Sequence, residues 1–334
     1  MKKNDRSLLT TLFIFIVSSG FAQQNVQFSQ YIFNELAVNP AYAGYKEEWT
    51  AHLLYRSQWV SITGAPKTAT FSFDGLTDSY RKNTGLGLQI TNDKLGAQSN
   101  LSAYTNYSYR LKLDALDTRR LCLGLGVGVS QYALNGDELS YVQENDSRIQ
   151  AGTVNTITPD LRFGVYYYSP TFFAGASVMD LFADYISTKL QDGTKTYLNI
   201  KKTRHYYFSA GGLITLSSTI ILKPSFLIKE DFKGPTNLDL NTFFAFNEKV
   251  WIGASWRTGI KLWSKDNLIS NLQMADAYSV MAQFYVNDRF RIGYAYDRTL
   301  SELSNYENGS HEVSVSLSLP SPKLGERILS PRYF

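Results

Sequence analysis

The chain has one cysteine in 334 residues, Cys122, and three histidines, His52, His205 and His311. A single thiol forms no intramolecular disulfide, and Cys122 lies far from any position at which a lipoprotein is acylated. No histidine stands near another His or Cys at metal-ligand spacing, so each reads as a wall or interface residue rather than a ligand. There is no P-loop and no Gly-x-Ser-x-Gly elbow. Gly124-Leu125-Gly126-Val127-Gly128 has the glycines of a dinucleotide loop but neither its full spacing nor its following helix. Beyond the amino terminus no stretch approaches 18 consecutive apolar residues, so no membrane-spanning helix is expected. Charge of one sign is also scarce: 33 Lys and Arg face 29 Asp and Glu, a net +4 that makes no case for nucleic acid. The sequence therefore nominates no catalytic, cofactor-binding or metal-binding residue, and the expectation is a protein that is not an enzyme.

What the chain has in excess is aromatic residues. Tyr 23, Phe 20 and Trp 5 reach 14% of a sequence whose hydrophobic content is an ordinary 44% and whose mean hydropathy is slightly negative. A membrane β-barrel has this composition, because only every second residue meets lipid and aromatic rings gather at both interfaces. A Tyr-rich soluble sandwich or lectin shares it, so composition alone leaves both open.

The amino terminus is tripartite. Lys2, Lys3 and Arg6 precede a short apolar run, Leu8 to Val17, and the small residues Ser18-Ser19-Gly20 lead to Ala22. This is the pattern of a secretory signal peptide over 1–22, too short in its apolar part to span a bilayer. Its removal takes three cations and one anion, Asp5, and lowers the formal charge from +4 to +2.

From residue 49 onward the pattern has period two. Val313, Val315, Leu317 and Leu319 alternate with serines; Leu121 to Val129 alternate with Cys122, glycines and Ser130. One face is apolar and the other small or polar. Fourteen such segments are predicted, from 49–59 to 311–319, each about the length of a tilted membrane strand. The connections alternate between tight turns, such as 113–118 and 169–170, and longer polar segments at 132–157, 180–202, 259–273 and 299–310. Short turns on one side and long loops on the other mark an outer-membrane barrel, and an even strand count puts both termini on the periplasmic, short-turn side. The expected architecture is all-β: an antiparallel transmembrane barrel over 49–319, preceded by a segment at 23–48 and followed by a periplasmic tail at 320–334. The tail has three prolines and a basic excess, Lys323, Arg327 and Arg332 against Glu326.

A fourteen-strand barrel encloses a lumen wider than side chains fill. Inward glycines at 85, 87, 124, 126 and 128 leave room for an inserted segment. Residues 23–48 lack strand alternation, interleave amides with aromatics, and are expected to form a lumenal plug or cap, its first half a short helix ended by Pro40. A floppy leader is the alternative. Arg56, Arg162, Lys223, Arg257 and Arg291 must face the lumen or an interface, since a cation facing lipid at midplane costs ~2–4 kcal/mol. Asp74, Asp160, Asp239 and Asp297 read as lumenal or rim charges.

Gln27-Phe28-Ser29-Gln30-Tyr31 with Asn39-Pro40-Ala41-Tyr42-Ala43-Gly44 resembles the amino-terminal signature of the PorP/SprF family of type IX secretion membrane proteins. Tyr55-Arg56-Ser57-Gln58-Trp59, Gly64-Ala65-Pro66-Lys67-Thr68 and Phe71-Ser72-Phe73-Asp74 resemble its next block. Tyr294-Ala295-Tyr296-Asp297 and Gly309-Ser310-His311-Glu312 resemble its carboxy-terminal block, and Ser330-Pro331-Arg332-Tyr333-Phe334 its tail. The resemblance implies an outer-membrane component of the secretion and gliding apparatus of Bacteroidetes. Its implied partners are the outer-membrane bilayer, a secreted surface protein such as an adhesin with its carboxy-terminal sorting domain, and a periplasmic lipoprotein ring or peptidoglycan-linked protein. It brings no catalytic residue and no cofactor. Its matched positions read as plug-to-barrel packing: Asn34, Asn39 and Tyr42 on the leader, Arg56, Gln58 and Trp59 at the first strand. The alternative reading is a channel for small-molecule diffusion or uptake.

Overall fold

A computed structural model describes residues 27–319 apart from Ser79, 140–151, 184–187, 193–194, Lys201 and 266–273. The expected leader and tail, 1–22 and 320–334, lie outside the described residues. The first seven strands are β1 (Trp49–Ser57), β2 (Lys67–Leu76), β3 (Thr84–Leu95), β4 (Gln98–Lys112), β5 (Arg120–Asn135), β6 (Thr153–Tyr168) and β7 (Phe172–Met179). A separate hairpin, β8 (Thr188–Asp192) and β9 (Lys195–Ile200), follows. Then come β10 (His205–Gly212), its two-residue continuation β11 (Ile214–Thr215), β12 (Ile220–Glu230), β13 (Thr236–Phe246), β14 (Val250–Ile260), β15 (Ala275–Tyr285), β16 (Phe290–Thr299) and β17 (Ser310–Leu319).

Every barrel strand pairs antiparallel with its neighbours, β10 with β12 past the short β11. The ring closes where β1 meets β17, in a ladder from Trp49 opposite Leu319 to Ser57 opposite His311. The result is a closed barrel of fourteen strands. Closure leaves no strand edge at the seam, where each unpaired amide in hydrocarbon would cost several kcal/mol. Among the described residues no helix is long and apolar enough to cross a membrane.

Burial is inverted relative to a water-soluble sandwich. On β17, Val313, Leu317 and Leu319 are 42–48% exposed, while Ser314 and Ser316 are buried. On β5, Leu123, Leu125, Val127 and Val129 are exposed and Cys122 is buried. The alternation thus sends apolar side chains outward and small polar ones inward, which is stable only when the outer solvent is lipid. Asp74, Asp160, Asp239, Asp297, Arg56, Lys223, Arg257 and Arg291 are all buried on the inner side.

Turns at one end are short: 113–119, 169–171, 216–219, 247–249 and 286–289. Asn247 and Glu248 both have positive φ, 48° and 60°, the primed-turn geometry whose twist matches that of the flanking strands. Longer connections occupy the other end, although Gly96-Ala97 and 231–235 there are also short. The expected loop 132–157 is strand at both its ends, since β5 runs to Asn135 and β6 begins at Thr153. Alternation becomes hard to read here: Gln131, Asn135, Thr153 and Asn155 interrupt the apolar outward face, leaving Ala133 and Ile157 between them, while the ladder continues. The segment 180–202 likewise contains the β8–β9 hairpin.

Candidate functional site

Residues 28–47 are buried inside the barrel except for Ala37, which is half-buried. They form three 3-10 turns, Gln30–Phe33, Glu35–Ala37 and Pro40–Tyr42. No α-helix forms, and Pro40 opens the third turn instead of closing a helix. Its missing N–H is not needed at a first helical position, and the Asn39 side chain caps the turn by accepting from the Ala41 N–H at 2.9 Å.

The segment runs the length of the lumen. Ser29 sits beside Arg56, Asp297 and Glu312, near the long-loop ends of β1, β16 and β17. Glu47 pairs with Lys82 at 2.7 Å and Arg110 at 3.5 Å, both at the short-turn end. The chain therefore enters β1 from the short-turn end, as an even strand count requires. Residue 29 lies toward the opposite end, so the segment threads the lumen as the expected plug would.

At the upper end a carboxylate clamp holds the backbone. Glu312 accepts the Ser29 N–H through Oε2 at 3.0 Å and the Gln30 N–H through Oε1 at 2.7 Å. Ser29 Oγ donates to Asp297 at 2.5 Å. Arg56 Nη1 contacts Asp297 at 2.6 Å, Glu312 at 3.1 Å and Ser29 Oγ at 3.1 Å. Gln30 reaches the Glu312 carbonyl at 3.1 Å and accepts from Ser314 at 2.7 Å. One cation between two carboxylates satisfies a cluster whose members would be costly alone in a dry interior.

Lower down, Asn34 donates to Ser72 Oγ at 2.8 Å, and Asn39 donates to the Val165 carbonyl at 3.0 Å. Tyr42 stacks on Tyr45 with centroids 4.6 Å apart and meets the Tyr166 edge. Gly44 N–H donates to Asp74 at 2.9 Å. Tyr31 Oη accepts from Asn241 at 2.6 Å, and Phe33 meets Phe243 edge-on at 5.0 Å.

Glycine makes this fit possible. A Cβ on Gly124 would lie 2.1 Å from Ala41 N, and one on Gly85 would lie 2.1 Å from Ala43 O. Gly87 lies under Leu36, whereas Gly126 and Gly128 make room for the barrel's own Asn106, Arg162 and Tyr104.

Of the six residues expected to pack leader against barrel, the structure brings Asn34, Asn39, Tyr42 and Arg56 to the lumenal segment. Gln58 and Trp59 lie just past β1: the Gln58 N–H donates to the Pro66 carbonyl at 3.0 Å, and the Trp59 N–H to Ser310 Oγ at 3.0 Å. Sequence reasoning named neither Glu312 nor Asp297 as a partner of the leader, and missed Gly164 and Gly293, which admit Asn39 and Gln30. The signal was present in the short blocks quoted above. Ser29 and Gln30, Arg56, Asp297 and Glu312 come from three distant blocks that meet in one cluster.

A closed antiparallel barrel with an apolar outer belt and a polar, charged interior defines an outer-membrane barrel protein. Residues 20–317 match the type IX secretion system membrane protein family PorP/SprF, and the chain belongs to that family. No curated protein matches the sequence. Among solved structures it is similar to outer membrane protein Omp33 of Acinetobacter baumannii (8% identity, 82% of this chain and 100% of that one, TM-score 0.42). It is also similar to the CymD monoaromatic hydrocarbon channel (10%, 87% and 93%, TM-score 0.48) and a mutant Rh. blastica porin (9%, 81% and 99%, TM-score 0.34). Likeness at this level carries no inference about what passes through or binds this chain. Among the described residues no three His, Cys, Asp or Glu side chains gather as a metal set.

Proposed function

We propose that this barrel is a docking and retention component of the secretion apparatus. It holds a secreted surface protein at its long-loop end, which faces outward, and links it to periplasmic machinery at its short-turn end. The observation that supports this reading is the occupied lumen: residues 28–47 fill it, hydrogen-bonded at both ends. An occupied lumen is a poor diffusion path but a rigid platform for partners at its two rims. The lumenal segment acts as the plug, and the basic tail at 320–334 supplies the periplasmic contact.

Two measurements test the reading. Purified protein in a planar bilayer gives no steady porin-like conductance, whereas a variant lacking residues 27–45 does. Cells lacking the protein shed a surface protein into the medium that the parent strain retains. Steady large currents from the intact protein, together with unchanged surface retention, would favour the diffusion channel.

A further inference from the structure

Two connections at the short-turn end are longer than the rest. The β2–β3 turn, 77–83, and the β4–β5 turn, 113–119, each span seven residues, against three or four at 169–171, 216–219, 247–249 and 286–289. Strands β3 and β4 pair directly, so the two turns are neighbours on the rim. Arg120, 1% exposed, ties them together. Its Nη1 donates to the Lys82 carbonyl at 2.6 Å and the Arg110 carbonyl at 3.1 Å, and its Nη2 to the Arg81 carbonyl at 3.4 Å. Nε and Nη2 also grip the Asp117 carboxylate at 2.7 and 2.6 Å. Lys82 in turn reaches Glu47, at the end of the lumenal segment, at 2.7 Å. This corner is therefore where the plug leaves the barrel.

Acid and base are sorted within it. Asp78 accepts the Tyr80 and Arg81 N–H groups at 2.9 and 3.1 Å. Asp114 accepts the Thr118 and Arg119 N–H groups, both at 2.9 Å. With Asp117 on Arg120, each carboxylate of the two turns is spent inside its own turn or on the guanidinium that braces it. Arg81, Lys112 and Arg119 are exposed. Among the described residues the ion pairs of this corner are Lys82–Glu47, Arg110–Glu47 and Arg120–Asp117, and none includes those three cations. Beside them in sequence stand Tyr80, 90% exposed, and Leu116, 84% exposed.

The tips lie beyond the lipid. On β4 the outward positions from Leu101 to Leu111 already extend over the ~9–11 residues that a tilted strand needs to cross the hydrocarbon. Leu116 comes later still, in the turn. A braced turn has little freedom left to lose when a partner docks, and Tyr and Arg are the residues that most often anchor protein interfaces. The chain's own tail does not suit the corner, because its Lys323, Arg327 and Arg332 outnumber Glu326 and carry the same sign.

We propose that this corner, formed by Tyr80, Arg81, Lys112, Leu116 and Arg119, is the rigid part of the barrel's periplasmic docking surface, and that its partner is a protein presenting carboxylates around an apolar recess. This deepens the docking reading and rests on its assignment of the short-turn end to the periplasm. Tyr80 and Leu116 enter the recess, and the three cations meet the carboxylates and fix the register.

The test is photo-crosslinking of the full chain in cell envelopes opened to the periplasm. Tyr80→Cys, Leu116→Cys and, in a minimal turn, Ser218→Cys are each labelled with benzophenone maleimide and irradiated, Cys122 being buried. Protein adducts are expected at positions 80 and 116 with at least fivefold higher yield than at 218, on a partner peptide rich in Asp and Glu. Adding Arg81→Glu with Arg119→Glu lowers the yield at position 116 at least fivefold, and Arg81→Lys with Arg119→Lys keeps it. Folding of each variant is checked by heat-modifiable electrophoretic mobility. Adducts to lipid alone, adducts to the chain's own tail, a yield no higher than at 218, or a yield unchanged by charge reversal overturns the proposal. Surface retention in cells separates the two readings. If deleting the protein sheds a surface protein but no charge-dependent adduct forms, the corner proposal fails alone. If the adduct forms as expected and deletion sheds nothing, the docking reading fails alone.

Discussion

Arg56 on the first strand and Glu312 on the last stand opposite each other in the closing ladder, with Arg56 Nη1 3.1 Å from Glu312 Oε2. The seam of the barrel and the clamp on the lumenal segment are thus built from the same pair. Glu312 spends both carboxylate oxygens on successive amides, Ser29 and Gln30. Arg56 supplies the charge that lets it do so together with Asp297.

Removing that cation is expected to loosen the segment. Arg56→Ala leaves two buried carboxylates facing each other, a change that costs about 3–5 kcal/mol. Limited proteolysis should cleave within 27–48 in the variant and not in the parent. Unchanged protection would separate the clamp from plug retention.

Overfilling a glycine tests the same contact from the wall. Gly124→Val places side-chain atoms where the Ala41 backbone runs. The segment should be displaced, with an increase in bilayer conductance of at least severalfold while the barrel still folds. Gly128→Val, which meets Tyr104 instead, should destabilise the wall without that specific gain in current.

The direction of the segment predicts an unusual labelling pattern. Cys122 is buried and silent toward large reagents. A cysteine at Gln27 should react with a membrane-impermeant maleimide on intact cells, because Ser29 lies toward the long-loop end. A cysteine at Ser218, in a short turn, should not. The reverse pattern would invert the proposed orientation.

Much of the wall was legible in the sequence because lipid imposes a strict two-residue period. Val313 to Leu319 and Leu121 to Val129 declare which face is outward without reference to any partner. The period fails where the apolar face is interrupted: β5 and β6 continue with Gln131 and Asn155 outward, and there strand looks like loop. The lumenal segment was visible as a place, through Gly85 and Gly124, but not as a shape. Three successive 3-10 turns have no period of their own, and the wall dictates them. Glu312 was hidden because its role depends on a partner 282 residues away. Gln58 and Trp59 were misjudged because they adjoin Arg56 in sequence, while Trp59, with φ of 47°, has already turned into the loop.

Because both carboxylates of the clamp on Ser29 and Gln30 come from the final two strands, the amino-terminal segment has only Arg56 of the clamp at that end until the carboxy-terminal hairpin is in place. Seating the one and sealing the other become a single late event in biogenesis. A chain stalled before its last strands would expose a loose leader and an open edge together, a combined mark by which quality control in the periplasm could recognise unfinished molecules.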